Sequence, residues 1–232
     1  MTYITGDTHG DFSRYIDFTA SMQPTPEDVM IVLGDAGLNY YGDLRDEGRR
    51  VFVNDFPFTT FCIHGNHEMR PYEAVGYRTM EYRGGVVWVH PEYPKVLFAK
   101  DGEVYDFDGY QCLVIGGAYS VDKYFRLARG WPWFASEQPS DEIKADVERQ
   151  LDRLGRRVDI ILSHTCPLRY QPVEMFLNGL DQSKVDSSTE EWLDHIEETV
   201  DYRKWYCGHY HTAKKIFRLQ FMFTDIDVLS VN

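Results

Sequence analysis

The 232-residue chain carries 24 Lys and Arg against 37 Asp and Glu, a formal charge of −13 at neutral pH. That balance excludes extended nucleic acid as a partner, because backbone binding needs a basic face to displace counterions. Hydrophobic residues at 43% and charged residues at 26% are ordinary globular usage, which excludes disordered and fibrous classes.

The length suits one domain over residues 1–232. No apolar run approaches the roughly 20 residues of a membrane span, so no membrane partner is expected. Residues 1–7 already reach a chemistry-bearing aspartate, which leaves no room for a signal peptide. Cys62, Cys112, Cys166 and Cys207 lie far apart and lack the close pairs of a zinc ribbon or redox motif, so reduced, buried thiols are expected. Together these point to a cytoplasmic enzyme.

In chain order, strand-like apolar runs fall at residues 3–5, 29–33, 60–63, 160–163 and 205–207, each ending where a polar cluster begins. Residues 12–22, 44–55, 140–154 and 189–200 carry apolar side chains at three- and four-residue spacing and read as helices. The third of these starts acidic and ends in Arg153, Arg156 and Arg157, which suits the helix dipole. Short β-rich runs at 86–89, 96–98, 103–107 and 111–115 suggest a meander inserted between the βα parts, and 215–219 with 221–226 reads as a strand pair. Alternating βα units around added strands imply a layered α/β fold with ligands on loops after the strand ends.

Four turns after these strands gather metal-ligand side chains beside glycine: Gly6-Asp7-Thr8-His9-Gly10, Gly34-Asp35-Ala36-Gly37, Gly65-Asn66-His67-Glu68 and Gly208-His209-Tyr210-His211. His164 ends a fifth strand-like run. Any one block is ordinary turn chemistry, but the ordered set reads as a two-metal site. Carboxylate, amide oxygen and imidazole together suit Mn, Fe or Zn, and thiolate is not needed. Asp7 with His9, and His209 with His211, are spaced so that each pair can face one ion, and a carboxylate such as Asp35 can bridge two.

These blocks resemble, in kind and order, the D-x-H, G-D, G-N-H-[ED], H and G-H-x-H pattern of the calcineurin-like metallophosphoesterases. The resemblance runs from Asp7 to His211. It implies an α/β/β/α sandwich binding two divalent or mixed-valence ions of Mn, Fe or Zn. It assigns Asp7, His9 and His211 to one ion and Asn66, His164 and His209 to the other, with Asp35 bridging. His67 corresponds to the family's active-site histidine, which is not a ligand and would act as general acid. The implied reaction is hydrolysis of a phosphate mono- or diester by a metal-bridging hydroxide. The alternative is an interaction scaffold of the same fold that has lost turnover.

The chain departs from the pattern at Leu38, where many members carry a polar residue that in protein phosphatases pairs with the histidine; neighbouring Asn39 could substitute. His64 stands where protein phosphatases commonly place an arginine, and reads either as a phosphate contact or as a buried strand-end histidine. Residues 116–126, followed by Arg129 and an aromatic cluster at 131–134, mix cations with aromatics. They read either as a substrate loop in which Lys123 or Arg126 meets phosphate, or as a packed connector; Arg70 has a similar claim. The expected substrate is a phosphorylated small molecule, a nucleotide or a phosphopeptide. His90 and His195 read as surface residues, and the acidic run Glu190, Glu191, Asp194, Glu197, Glu198 as a solvated helix face.

Overall fold

The computed structural model describes residues 1–176 and 181–232. The first third alternates β1 (Thr2–Thr5), α1 (Ser13–Met22), β2 (Val29–Val32), α2 (Leu44–Asn54) and β3 (Thr59–Cys62). Then follow β4 (Arg78–Tyr82), β5 (Gly85–Val89), β6 (Val96–Ala99), β7 (Val104–Phe107), β8 (Tyr110–Ile115) and α3 (Lys123–Ala128). The last part holds α4 (Asp141–Arg153), β9 (Ile160–Ser163), α5 (Ser188–Thr199), β10 (Lys204–Cys207), β11 (Lys214–Ile216), β12 (Leu219–Phe221) and β13 (Ile226–Val228).

Two sheets carry these strands, one ordered β13-β1-β2-β3-β6-β5-β4 and the other β11-β12-β10-β9-β8-β7. The central strands of each are parallel, and antiparallel strands sit at the edges. Register decides which side chains meet. Ile4 lies beside Ile31, Ile31 beside Phe61 and Phe61 beside Leu97, and this row faces the matching row Val114, Leu162 and Tyr206 of the other sheet. The alternate residues point outward. Tyr3, Met30 and Val32 pack under α1 and α2, whereas Leu113, Ile161 and Trp205 pack under α4 and α5. Both faces of each sheet are therefore covered, which explains why the central strands read as unbroken apolar runs. This is the expected α/β/β/α sandwich.

Helix starts follow local chemistry. The Asp43 carboxylate accepts from the Arg45 N–H at the head of α2, and the Ser140 hydroxyl accepts from the Ile143 N–H at the head of α4. Asp141 and Glu142 occupy the first turn of α4 and Arg153 its last, as the dipole favours.

Several expectations need correction. The central runs do not form one inserted meander: β5 and β6 extend the first sheet, β7 and β8 the second, and β6 and β8 each run parallel to a core strand. The run read as 221–226 splits, because β12 ends at Phe221 in one sheet and β13 begins at Ile226 in the other. Strand β4 was missed because its side chains are mostly exposed and show no apolar alternation. Glu190 is buried, accepting from the Thr165 hydroxyl at 2.7 Å, so the acidic helix face is not uniformly solvated. His90 is stacked on Tyr93 with ring centroids 5.1 Å apart and is half-buried, whereas His195 is exposed as expected. All four cysteines are buried and free.

Candidate metal centre

The turns that follow β1, β2, β3, β9 and β10 converge at one end of the sandwich, where parallel strands leave their loops. Backbone bonds lock them together: the His9 N–H donates to the Asp35 carbonyl at 2.8 Å, and the Gly208 N–H to the His164 carbonyl at 2.8 Å. Arg14 braces the first turn from beneath, donating to the Asp7 carbonyl at 3.0 Å and to the Phe223 carbonyl at 2.6 Å.

One donor group comprises Asp7, His9 and His211. The two Nε2 atoms lie 2.9 Å apart, and Asp7 Oδ2 lies 3.3 Å from that of His211 and 3.8 Å from that of His9. Asp7 Oδ1 accepts from the His209 N–H at 2.9 Å, but Oδ2 is buried without a hydrogen-bond partner. A buried carboxylate oxygen left unpaired beside two crowded ring nitrogens is costly, and a shared cation about 2.0–2.2 Å from each would relieve it. The donors therefore fit a metal ion.

The second group comprises Asn66, His164 and His209. Asn66 Oδ1 lies 2.8 Å from His164 Nε2 and 3.0 Å from His209 Nδ1. The Asn66 amide nitrogen donates to the Ser120 hydroxyl at 2.9 Å, which turns its oxygen inward. The His164 Nδ1–H donates to the Leu33 carbonyl at 2.7 Å, leaving the Nε2 lone pair free toward the centre. Between the groups stands Asp35, whose Oδ2 is 3.9 Å from His9 Nδ1 and whose Oδ1 is 3.7 Å from His164 Nε2.

Electrostatics favour the ligating form for most of the donors, His211 being the exception. Burial alone would raise the Asp35 pKa, but the neighbouring His164, His67 and His9 hold it well below the usual carboxylate range. Burial opposes ionisation of Asp7 too, yet His211 and His164 keep its pKa low. Burial, with His164 alongside, lowers His209 to about 3, so its ring is neutral. The contact with Asp7 raises His211. Glu68 is buried near Asp35 and pushed up to about 8; its Oε1 accepts from the Gly65 N–H at 2.9 Å and shapes that turn.

The local backbone carries strain here. His9, Asp35, His209 and His211 all take left-handed φ values of 47°, 48°, 67° and 50°. Four such non-glycine residues in one site mark a backbone over-determined by its surroundings. The glycines serve close approach: a Cβ on Gly65 would stand 2.0 Å from Asp35 Oδ1, and one on Gly208 would stand 2.3 Å from Asp7 Oδ1.

His67 lines the cavity above this floor, stacked on Tyr40. Its backbone N–H donates to Asp35 Oδ1 at 2.7 Å, and its Nε2 faces Asp122 Oδ1 at 3.6 Å. Leu38 is buried in the core, and the Asn39 oxygen is already taken by Arg50 and by the Tyr77 hydroxyl, so neither serves the histidine. Asp122, on the loop after β8, is the carboxylate in that place. Sequence reasoning did not assign it, though its position after a strand of the same parallel set is the signal that could have found it.

The remaining candidates are not among the described residues that line the cavity. Arg70 pairs with Asp101 at 2.5 Å and donates to the Ser136 carbonyl at 2.8 Å. The Lys123 ammonium sits 3.9 Å from the centre of the Trp133 ring. Arg126 is buried; Nη1 donates to the Ser120 hydroxyl at 3.2 Å and lies 3.7 Å from Asp122, while Nε and Nη2 have no partner. His64 is buried, and burial drives its pKa well below the usual value.

The two-sheet sandwich with this strand-end cluster is the architecture of a phosphoesterase fold, and the sequence agrees. The profile of the calcineurin-like phosphoesterase family matches residues 2–213, and the chain belongs to that family. The solved structure of TT1561 of Thermus thermophilus superposes with a TM-score of 0.53 at 13% identity, over 100% of this chain and 98% of its own. A second solved structure gives 0.50 at 11% identity, over 95% of this chain and 88% of its own. At such identities the likeness is one of fold. No curated protein sequence is a significant match. No helix among the described residues is long and apolar enough to cross a membrane.

Proposed function

We propose that the protein is a metal-dependent phosphoesterase that hydrolyses a phosphate mono- or diester. The observation that carries this reading is Asp35, which offers one oxygen toward His9 and the other toward His164 between two donor groups. Asp7, His9 and His211 would hold one divalent or mixed-valence ion of Mn, Fe or Zn, and Asn66, His164 and His209 the other, with Asp35 shared. When bound, such ions lower the pKa of water and neutralise phosphate oxygens as charge builds up.

The chain's own residues do the rest. His67 sits at the cavity edge as the proton donor to the leaving oxygen, and Asp122 favours the orientation and charge this needs. Burial pulls the His67 pKa below its ordinary value, while Asp35 and Asp122 push the other way. Ser120 keeps the Asn66 oxygen pointed inward, and the wall presents apolar surface beside the donors.

The test is to strip metal with a chelator, restore Mn²⁺, Fe²⁺ or Zn²⁺ separately, and assay 4-nitrophenyl phosphate beside bis(4-nitrophenyl) phosphate. Hydrolysis that vanishes on stripping and returns with an ion is expected, and the better ester separates monoester from diester preference. Ion binding without cleavage of either ester would sink the enzymatic reading in favour of a scaffold.

A further inference from the structure

The cavity above the donor floor has a volume of about 360 Å³, and its walls differ in chemistry from its floor. Tyr119, Val121, Met175, Phe176, Val185 and Tyr210 line it with apolar surface. The Tyr210 ring lies edge-on to His209 at 4.9 Å and edge-on to Phe221 at 5.9 Å, so it is anchored directly beside the donor cluster. Phe176 stacks on Tyr210, with ring centroids 6.4 Å apart and planes 22° apart. Aromatic surface thus begins at the metal floor and continues outward.

Charge is distributed just as unevenly. No Lys or Arg is present among the described residues that line the cavity; Gln171, Gln182 and Ser187 are neutral, and Asp122 and Glu190 are acidic. Of the nearest candidate cations, Lys123 sits over Trp133, and Arg126 is buried against Ser120 and beside Asp122, with Nε and Nη2 unpartnered. Among the described lining residues, positive charge is therefore confined to the floor, where imidazoles and any bound ions meet the reacting phosphate. A second phosphate or carboxylate on the substrate would enter an apolar-walled space with no Lys or Arg in its described lining and two carboxyl groups nearby, which is a repulsive element. A flat ring of one or two cycles fits the volume and the stacked aromatic wall.

Resting on the phosphoesterase reading, we infer that the substrate is a phosphate ester whose group beyond the reacting phosphate is flat, apolar-faced and free of negative charge. Polyphosphates, bisphosphates and acidic phosphopeptides are then poor substrates.

The test measures binding to the Mn²⁺-loaded full chain by calorimetry, using methylphosphonate, 1-naphthylmethylphosphonate and a ring-carboxylated naphthylmethylphosphonate. The naphthyl compound should bind at least ~10-fold more tightly than the methyl one, and the added carboxylate should abolish that gain. Phe176→Ala, with Tyr119→Ala as a second variant, should remove most of the naphthyl gain and leave methylphosphonate binding unchanged. Equal affinities for all three, or tightest binding of the carboxylated compound, would overturn the inference. Hydrolysis of 1-naphthyl phosphate, followed alongside, separates the two readings. Naphthyl preference without turnover overturns the phosphoesterase assignment and leaves the pocket inference standing, turnover without preference does the reverse, and failure of all three phosphonates to bind overturns both.

Discussion

The floor and the wall of the cavity are built by different means. The floor comes from short turns after β1, β2, β3, β9 and β10, tied to one another by backbone hydrogen bonds and held in left-handed conformations. The wall comes from long connections: the loop after β8 that leads into α3, and the run of short 3-10 turns at Leu168–Tyr170, Val173–Met175 and Gln182–Lys184. Floor side chains are polar and mostly buried; wall side chains are mainly apolar and aromatic, with a few neutral polar and acidic ones among them. The donor side chains thus stand on the strand ends and the apolar lining on the connections, which can vary without disturbing the sheets.

That division can be broken experimentally. The largest effect should follow Asp35→Asn, which removes the carboxylate between the two donor groups: turnover should fall by about 10³ or more with metal content reduced by elemental analysis and circular dichroism unchanged. Full activity with an unchanged ion count would remove Asp35 from the centre. His67→Ala comes next, with kcat expected to drop ~10²–10⁴ while both ions stay bound. Asp122→Ala should lose about 10-fold or more, chiefly for esters of poorly acidic alcohols, and the double variant should be no worse than His67→Ala. Full additivity would show that Asp122 does not act through His67.

Smaller effects probe the wall and its supports. Lys123→Ala should change KM for an aryl phosphate by less than about twofold, since the ammonium is engaged by Trp133. A large rise in KM would bring Lys123 back to the substrate. Glu190→Gln tests the buried carboxyl in the cavity lining, whose pKa burial raises. In the folded state Glu190 holds its proton more tightly than in the unfolded chain, so its ionisation costs stability as pH rises above the unfolded value of about 4. The Gln variant should melt about 2–4 °C higher at pH 8, with the gap closing at pH 4. A gap that widens toward acid would reverse the sign of the argument.

The core strands and four of the five α-helices among the described residues were legible because both faces of each sheet are covered and because caps such as Ser140 announce themselves locally. The strand-end blocks were legible for a related reason: parallel strands deliver their loops to one end, so glycine-flanked ligand types after successive strands meet there. Strand β4, the division of β12 from β13 between sheets, and the burial of Glu190 were not legible, since exposure and partner choice follow from long-range packing.

By itself the sequence determined the ordered set of donor types and the strand pattern that carries them, because both depend on residue identity and short-range spacing. Only the tertiary structure decided that Asp122 stands over His67 in place of Leu38 and Asn39, that Lys123 and Arg70 are engaged by other partners, and that the described wall beside the donors is aromatic and lined by no Lys or Arg. Those outcomes hang on contacts between segments ten to more than a hundred residues apart, where orientation and burial choose the partner and local spacing does not.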